Sequence, residues 1–480
     1  MPRIAPCPCV GGQQYVGAVT ETMTSQQRLV VAIATLASFV AFLDGTIVNV
    51  ALPAISRDLG GGLTTQQWVV DAYLITLSAL ILLAGSASDA FGRILVMRIG
   101  LIGFGVASIG VALAPTLEIL IAGRAIQGAA GAFLVPSSLA LITSTMRGAL
   151  QARAIGLWTA LTTVAMIVGP VVGGLFVDLL SWRYAFVINI VPIALTLWLL
   201  TRLKAHDQRE AGAHIDWLAG ALCTFGLGLS VFALIEQPNL GWSSPAIWAT
   251  LGGGILLFTL FLLRQRTATA PILPLGLFRI RNFWTGNVAT LFVYAALSLN
   301  GFVVVVYLQQ GAGLTAFFAG LASLPTTIMT IALSSWMGTL AGRYGPRLFM
   351  TVGPITMAIG ALLLLTVSKD FDYWWQVLPG MVIFGLGLAI TVSPLTAAIL
   401  GSVETDRSGI ASAVNNAVAR VAGLIIIAML ALVTGGALDL NGFHRAVIVT
   451  AALLVAGGLV SFAGIRNPAR KTTTTGTTQT

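Results

Sequence analysis

GSASDAFGRILVMRIG at residues 85–100 reads a second time, without gaps, as GTLAGRYGPRLFMTVG at 338–353. Gly85, Gly92, Leu95, Met97 and Gly100 return as Gly338, Gly345, Leu348, Met350 and Gly353. Each copy joins a second to a third long apolar run of a larger unit, so the chain reads as two related halves. Parallel repeats of this kind place a binding site near the midplane, where the halves meet.

Composition says what the runs are. Of 480 residues, 57% are hydrophobic and only 9% charged, against ~25% charged in a soluble domain. Mean hydropathy is +0.94. So few charges cannot cover a water-soluble surface of this size. The 53 glycines suit helices that approach closely in lipid. About 20 apolar residues cross the hydrocarbon core as a helix. Such runs fall at 29–53, 66–87, 94–113, 118–142, 153–177, 182–201, 215–235, 244–263, 284–309, 314–340, 347–366, 375–399, 408–436 and 443–465. They are continuous rather than alternating, which excludes strands as the spanning element. The expected fold is an all-α integral membrane protein of fourteen transmembrane helices: two six-helix halves and an inserted pair.

An even number of spans puts both termini on one side. Of the 25 Lys and Arg, nineteen fall on that side, four on the other, and Arg124 and Arg420 inside spans. The positive-inside rule makes the termini cytoplasmic. The net charge of +9 is then a topology signal, not one for nucleic acid. The expected segments are a polar tail at 1–27, a first half at 28–201, an inserted pair at 202–270, a second half at 271–466 and a polar tail at 467–480. No apolar signal core precedes a cleavage site in the first tail, and either Met23 is the natural start or residues 1–22 form a disordered tail. Cys7, Cys9 and Cys223 form no disulfide framework and no metal site is expected. No Walker loop, HExxH or GxSxG occurs. GLGL at 226–229 and 385–388 follows no strand and reads as helix-packing glycine.

Further stretches give the chain a likeness: LDGTIVNVALP (43–53), RAIQGAAGAFLVPSSLALI (124–142), GLWTALTTVAMIVGPVVGGLFVD (156–178) and LSWRYAFVIN (180–189). With the repeat they resemble the major facilitator superfamily, in its fourteen-span drug:proton antiporter branch of the EmrB/QacA type. LPGMVIFGLGLAITVSPLTAAIL (378–400) and SGIASAVNNAVARVAG (408–423) are similar to the branch as well. The stretch at 156–178 resembles the antiporter motif of the exporters, which symporters generally lack.

Asp44, Asp71, Arg124 and Arg420 lie inside spans, where a charge is costly and marks a functional site by default. The first three are expected at similar depth in the outer half of one six-helix unit, able to neutralise one another across a cavity. They form either a static ion pair or a proton-coupling site. Burial raises a carboxylate pKa and a nearby Arg lowers it, so two acids sharing one Arg leave one able to exchange its proton. The resemblance links Asp44 and Arg124 to coupling. Asp71 stands where many members carry Ser or Thr, which hints at cationic substrates. Arg420, with Asn416 one turn earlier, either receives an anionic group in a cavity or plays a structural part. Gln127 follows Arg124 by one turn. Asn49, Trp158, Tyr294, Asn300 and Tyr307 are further pocket candidates, with ordinary helix packing as the alternative.

By resemblance, Gly85, Asp89, Gly92 and Arg93 form a conformational latch, with Asp89 expected at the N-terminus of span 13 near Ser408. Ala90 and Ile94 stand where basic residues are usual, and Gly342 replaces the acid in the second copy, which weakens the expected latch. Gly169, Pro170, Gly173 and Gly174 are the antiporter-motif positions, expected to touch the other half. The resulting expectation is a multi-pass protein of a bacterial inner or plasma membrane, not an enzyme. It exports small lipophilic compounds, cationic ones among them, against protons by alternating access. It needs no cofactor beyond the proton gradient, and works as a monomer, with a periplasmic adaptor where the host has two membranes. The alternatives are a dedicated exporter of one metabolite or antibiotic, and a non-transporting membrane sensor or enzyme.

Overall fold

In hydrocarbon every backbone N–H and C=O must find a partner within the chain, which leaves long apolar runs no choice but the helix. The computed structural model describes residues 23–204, 207, 215–268, 271–404 and 407–467, apart from the side chains of Asp89, Ala149 and Ala152. Fourteen helices among them are long and apolar enough to cross a membrane. The first half is α1 (Ser25–Leu59), α2 (Gly62–Ser88), α3 (Arg93–Ala112), α4 (Leu117–Thr145), α5 (Arg153–Leu179) and α6 (Tyr184–Arg202). The inserted pair is α7 (Trp217–Leu240) and α8 (Pro245–Thr267). The second half is α9 (Arg281–Gln310), α10 (Ala316–Tyr344), α11 (Pro346–Thr366), α12 (Tyr373–Leu400), α13 (Ser408–Ala428) and α14 (Leu440–Gly464). The chain is a multi-pass membrane protein.

Two boundaries differ from expectation. The tail assigned to 1–27 is cut short, because Thr24 and Gln27 form a capping box that starts α1 at Ser25. Residues 1–22 and 468–480 lie outside the described residues. The helix of α2 also runs on to Phe91, and α3 begins at Arg93. The expected loop between them is therefore Gly92 alone, at φ +100°. Gly345 does the same between α10 and α11 at φ +90°. Both need the freedom that only glycine has in this region.

The repeat extends beyond its sixteen letters. Asp207, following α6, accepts hydrogen bonds from the backbone N–H of Ile94 (3.1 Å) and Leu95 (3.0 Å). Asn467, following α14, accepts one from Arg347 N–H (3.1 Å). A Cβ on Gly92 or Gly345 would run into these caps. Each half thus closes with its sixth helix tail sitting on the start of its third helix.

The inserted α7 packs Leu227 and Val231 against Ile75 of α2 and Leu424 and Ala428 of α13. α8 stays at the periphery, with 17% of its spanning window buried. Toward the end away from the termini, the halves are bound together. Gln67 donates to the carbonyls of Ile427 (2.7 Å) and Ala428 (3.1 Å). Gln309 donates to Val50 O at 3.1 Å. One apolar cluster there joins Ile47 and Leu52 to Val303, Leu430 and Phe443.

Candidate functional site

The first half carries a charged cluster in its interior. Arg124 of α4 donates from Nη1 to Asp44 Oδ2 of α1 at 2.6 Å, with side-chain exposures of 1% and 0%. The same Nη1 reaches Gln127 Oε1 at 2.9 Å, and Nε donates to Val69 O of α2 at 3.0 Å. Gln127 donates onward to Ser108 of α3 at 2.8 Å, with a longer contact to Asp44 at 3.4 Å. Asn189 of α6 donates to Asp44 Oδ1 at 3.0 Å. The guanidinium lies over the Tyr73 ring at 4.4 Å and beside Phe186 at 5.7 Å. Five helices therefore supply one ion pair. Dry burial makes its Coulomb attraction strong and its rupture costly, because removing either partner strands a charge.

Asp44, Arg124 and Gln127 come together inside the first half, as their positions suggested, but in direct contact rather than across a cavity. Asp71 does not join them. Both its oxygens are buried without a hydrogen-bond partner among the described residues. Asp71 lies one turn from Gln67 and from Ile75, on the face of α2 that meets α13 and α7. Depth along a helix was readable; direction around it was not. Asp71 and Tyr73 are two residues apart, which is about 200° around the axis. Asn189, Ser108 and Tyr73 were not singled out. Asn189 closes the quoted stretch 180–189, where an amide amid apolar residues was the available signal. Ser108 gave none.

Arg420 is half-buried, and no hydrogen bond or ion pair reaches it among the described residues. It lies within electrostatic reach of Tyr73 and Tyr294. Asn416, half-buried one turn earlier, makes no hydrogen bond there either; its neighbour Asn415 instead donates to Thr290 (2.7 Å) and Asn287 (3.3 Å) of α9. Trp158 donates to Ser38 at 3.0 Å, tying α5 to α1. Tyr307 is stacked on Phe443 at 4.3 Å and 4% exposed, so it packs the sealed end rather than lining a pocket. Asn300 is 7% exposed. Asn49 is half-buried and makes no hydrogen bond among the described residues.

The antiporter-motif positions divide their contacts. Gly169 and Gly173 lie against Thr46 and Ile47 of α1, within their own half. Gly174 lies against the backbone of Ala316 and Phe317, and Pro170 against Gly320, so these two touch the other half. Asp178, one turn further, accepts from the N–H groups of Ala316 (2.9 Å) and Phe317 (2.8 Å) and caps α10 across the interface. That cap was not anticipated. Of the latch positions, Gly85 lies in α2, Gly92 forms the turn and Arg93 opens α3. The Asp89 side chain lies outside the described residues.

The family model described as Major Facilitator Superfamily matches residues 34–427. The chain is 32% identical over 416 residues to a methylenomycin A resistance protein of Bacillus subtilis, covering 86% of this chain and 89% of that one. It is 31% identical to the multidrug efflux pump LfrA of Mycolicibacterium smegmatis, covering 82% and 78%. Among solved structures, the xylose transporter XylE from E. coli in a partially occluded inward-open conformation superposes with a TM-score of 0.64. It shares 13% identity, with 92% and 100% coverage, and speaks to the fold alone.

Proposed function

This chain belongs to the major facilitator superfamily, and we propose that it exports small lipophilic toxic compounds in exchange for protons. The observation that carries the reading is the Asp44–Arg124 pair, the only ion pair among the described residues with both partners fully buried. The names of the relatives, a methylenomycin A resistance protein and a multidrug efflux pump, support export as the direction.

A proton arriving at Asp44 neutralises the carboxylate and releases Arg124 from it. Arg124 then relies on Val69 O, Gln127 and the faces of Tyr73 and Phe186. Loss of the proton restores the 2.6 Å pair. Because Arg124 is anchored on α2 and α4 and Asp44 on α1, each exchange alters how these helices hold together. The halves rock about the midplane and expose the space between them to one side at a time. Asp71 is the second proton site. It is enclosed where α2 meets α7 and α13, so separation of the sealed end gives it access to water. One proton driven inward through 100 mV supplies about 2.3 kcal/mol, which needs no nucleotide site. The protein acts as a monomer in a bacterial plasma membrane with its termini in the cytoplasm. Where a second membrane exists, an adaptor continues the path.

Proteoliposomes with an imposed pH gradient test this reading, with methylenomycin A and a panel of toxicants as probes. Wild type moves protons when a transported probe is added. Asp44→Asn lowers that flux by at least ~10-fold, the scale of a lost charge-assisted contact, and Asp71→Asn lowers it by removing the carboxylate that takes up a proton. Proton movement that survives both substitutions overturns the coupling role. A second reading, export of one endogenous antibiotic, is favoured by relatives named for single compounds, such as the tetracenomycin C resistance and export protein of Streptomyces glaucescens. Resistance confined to one compound of the panel would select it.

A further inference from the structure

Among the described residues, the acids of the second half stand outside its spans: Asp370, Asp372, Glu404 and Asp439 belong to connections or helix caps. Its spans carry one charge away from their ends, Arg420, one turn after Asn416. The direction of Arg420 follows from its neighbours on α13. Asn415 bonds to α9, and Gly423 lies against Ser298 of the same helix. Ala417 is buried with Tyr73 and Leu77 of α2, and Leu424 and Ala428 with Ile75. Asn416 and Arg420 fall on the arc between these two faces, where α13 looks between α2 and α9 toward the middle of the bundle.

The anions of the first half do not balance Arg420. Asp44 is taken up by Arg124 and Asn189. Asp71 is buried on the face of α2 that meets α7 and α13, but neither of its oxygens has a hydrogen-bond partner among the described residues, so it does not pair with Arg420. Glu236 of α7 is engaged with Trp68 at 2.8 Å and Asn239 at 3.0 Å. Tyr73 and Tyr294, both neutral, lie within electrostatic reach of Arg420, and Asn416 stands one turn earlier on its own helix.

Resting on the export reading, we infer that the transported compound carries an anionic group, a carboxylate or its equivalent, and that Arg420 receives it between the halves. An arginine offers a planar fork of donors matched to a carboxylate. Half-buried Tyr294 and Asn416 would add a ring face and a further polar contact for the rest of the molecule. Tyr73 also gives the site its link to the proton. Its ring lies on Arg124, and it lies within reach of Arg420. An anion drawn to Arg420 therefore acts electrostatically on the ring that lies against the pair that exchanges the proton.

The test uses the full-length protein in nanodiscs and three probes that share a ring system: 2-naphthoate, 2-naphthamide and 2-naphthylmethylammonium. Binding is followed by quenching of tryptophan fluorescence, with thermal unfolding recorded for every variant. Wild type is expected to bind the naphthoate at least ~10-fold more tightly than the amide, the scale of one hydrogen bond to a charged group. Arg420→Gln abolishes the preference for naphthoate over the amide while the unfolding temperature stays unchanged. Arg420→Lys keeps part of it, because the charge remains and the fork is lost. A preference for the ammonium or the amide, or a naphthoate preference that persists in Arg420→Gln, overturns the inference. Transport in proteoliposomes separates this failure from failure of the export reading. If the pH gradient drives the amide as well as the naphthoate, only the anion site is lost. If it drives none of the three and none of the toxicants, the export reading falls too.

Discussion

The two halves share a fold and a chain pattern, yet treat charge inside the membrane in opposite ways. The first pairs a buried acid with a buried base, Asp44 held by Arg124 and Asn189 and Arg124 also by Gln127 and the Val69 carbonyl, and buries a second acid, Asp71, that has no partner among the described residues. Among the described residues, the second keeps no acid in its spans and leaves Arg420 half-buried with neither hydrogen bond nor ion pair. A satisfied pair switches when a proton enters it. An unsatisfied cation waits for something from outside. The difference assigns the proton to one half and the substrate to the other, and alternating access makes each depend on where the two halves stand.

The largest effect that tests this contrast is on stability. Arg124→Leu leaves Asp44 buried without its cation and costs ~3–5 kcal/mol. Arg420→Leu breaks no hydrogen bond or ion pair among the described residues and strands no buried charge, so it costs ~1 kcal/mol or less. Thermal unfolding in one detergent compares the two. Equal losses would mean that both arginines are structural and would remove the contrast.

The next effect concerns the seam between halves. Gly174→Val thrusts a side chain into the backbone of Ala316 and Phe317. The overpacking costs ~1–3 kcal/mol, and it falls on the sealed conformation alone. A cysteine placed at Val50, in a background with Cys7, Cys9 and Cys223 replaced by serine, reports the seal by thiol labelling. Labelling rises in Gly174→Val. Gly173→Val, which meets Ile47 within its own half, lowers stability without that rise.

The smallest effect lies in the inserted pair, which belongs to neither half. Asp216 binds Arg264 at 2.8 Å and caps α7 through Ala219 N–H at 3.0 Å. Burial alone would raise its pKa, but the hydrogen bonds from Arg264 and Ala219 outweigh it and hold the carboxyl below its usual range. Its contribution is therefore complete above the ordinary carboxylate value, about 3.9, and is lost as pH falls through the lower folded value. Asp216→Ala should cost ~0.5 kcal/mol at neutral pH, as a partly exposed pair does. The gap from wild type should close in acid. A gap that widens as pH falls would reverse the sign.

Much of this architecture could be read before any coordinates. Runs of twenty apolar residues have one outcome in lipid, and basic residues gathered on one side check their number. Asp44 and Arg124 were visible because a charge within such a run is rare. Asn189 and Ser108 were not, since uncharged polar side chains recur through these spans and only their convergence gives them meaning. Asp71 shows the other gap: sequence gives height in the membrane, while the direction around α2 depends on where α7 and α13 come to rest. The cap from Asp178 onto α10 joins residues 138 positions apart, and no local pattern announces it.

The clasps at Asp207 and Asn467 have a consequence for how such a chain is assembled. Each half ends by fastening its own tail beneath its own third helix, so its closure borrows nothing from its twin. A chain severed between Asp207 and Trp217 would keep both clasps and separate two self-contained pieces, the second bearing the inserted pair. Co-expression of the two fragments is then a route to labelling one half at a time, with isotopes or spin probes, inside a reassembled transporter.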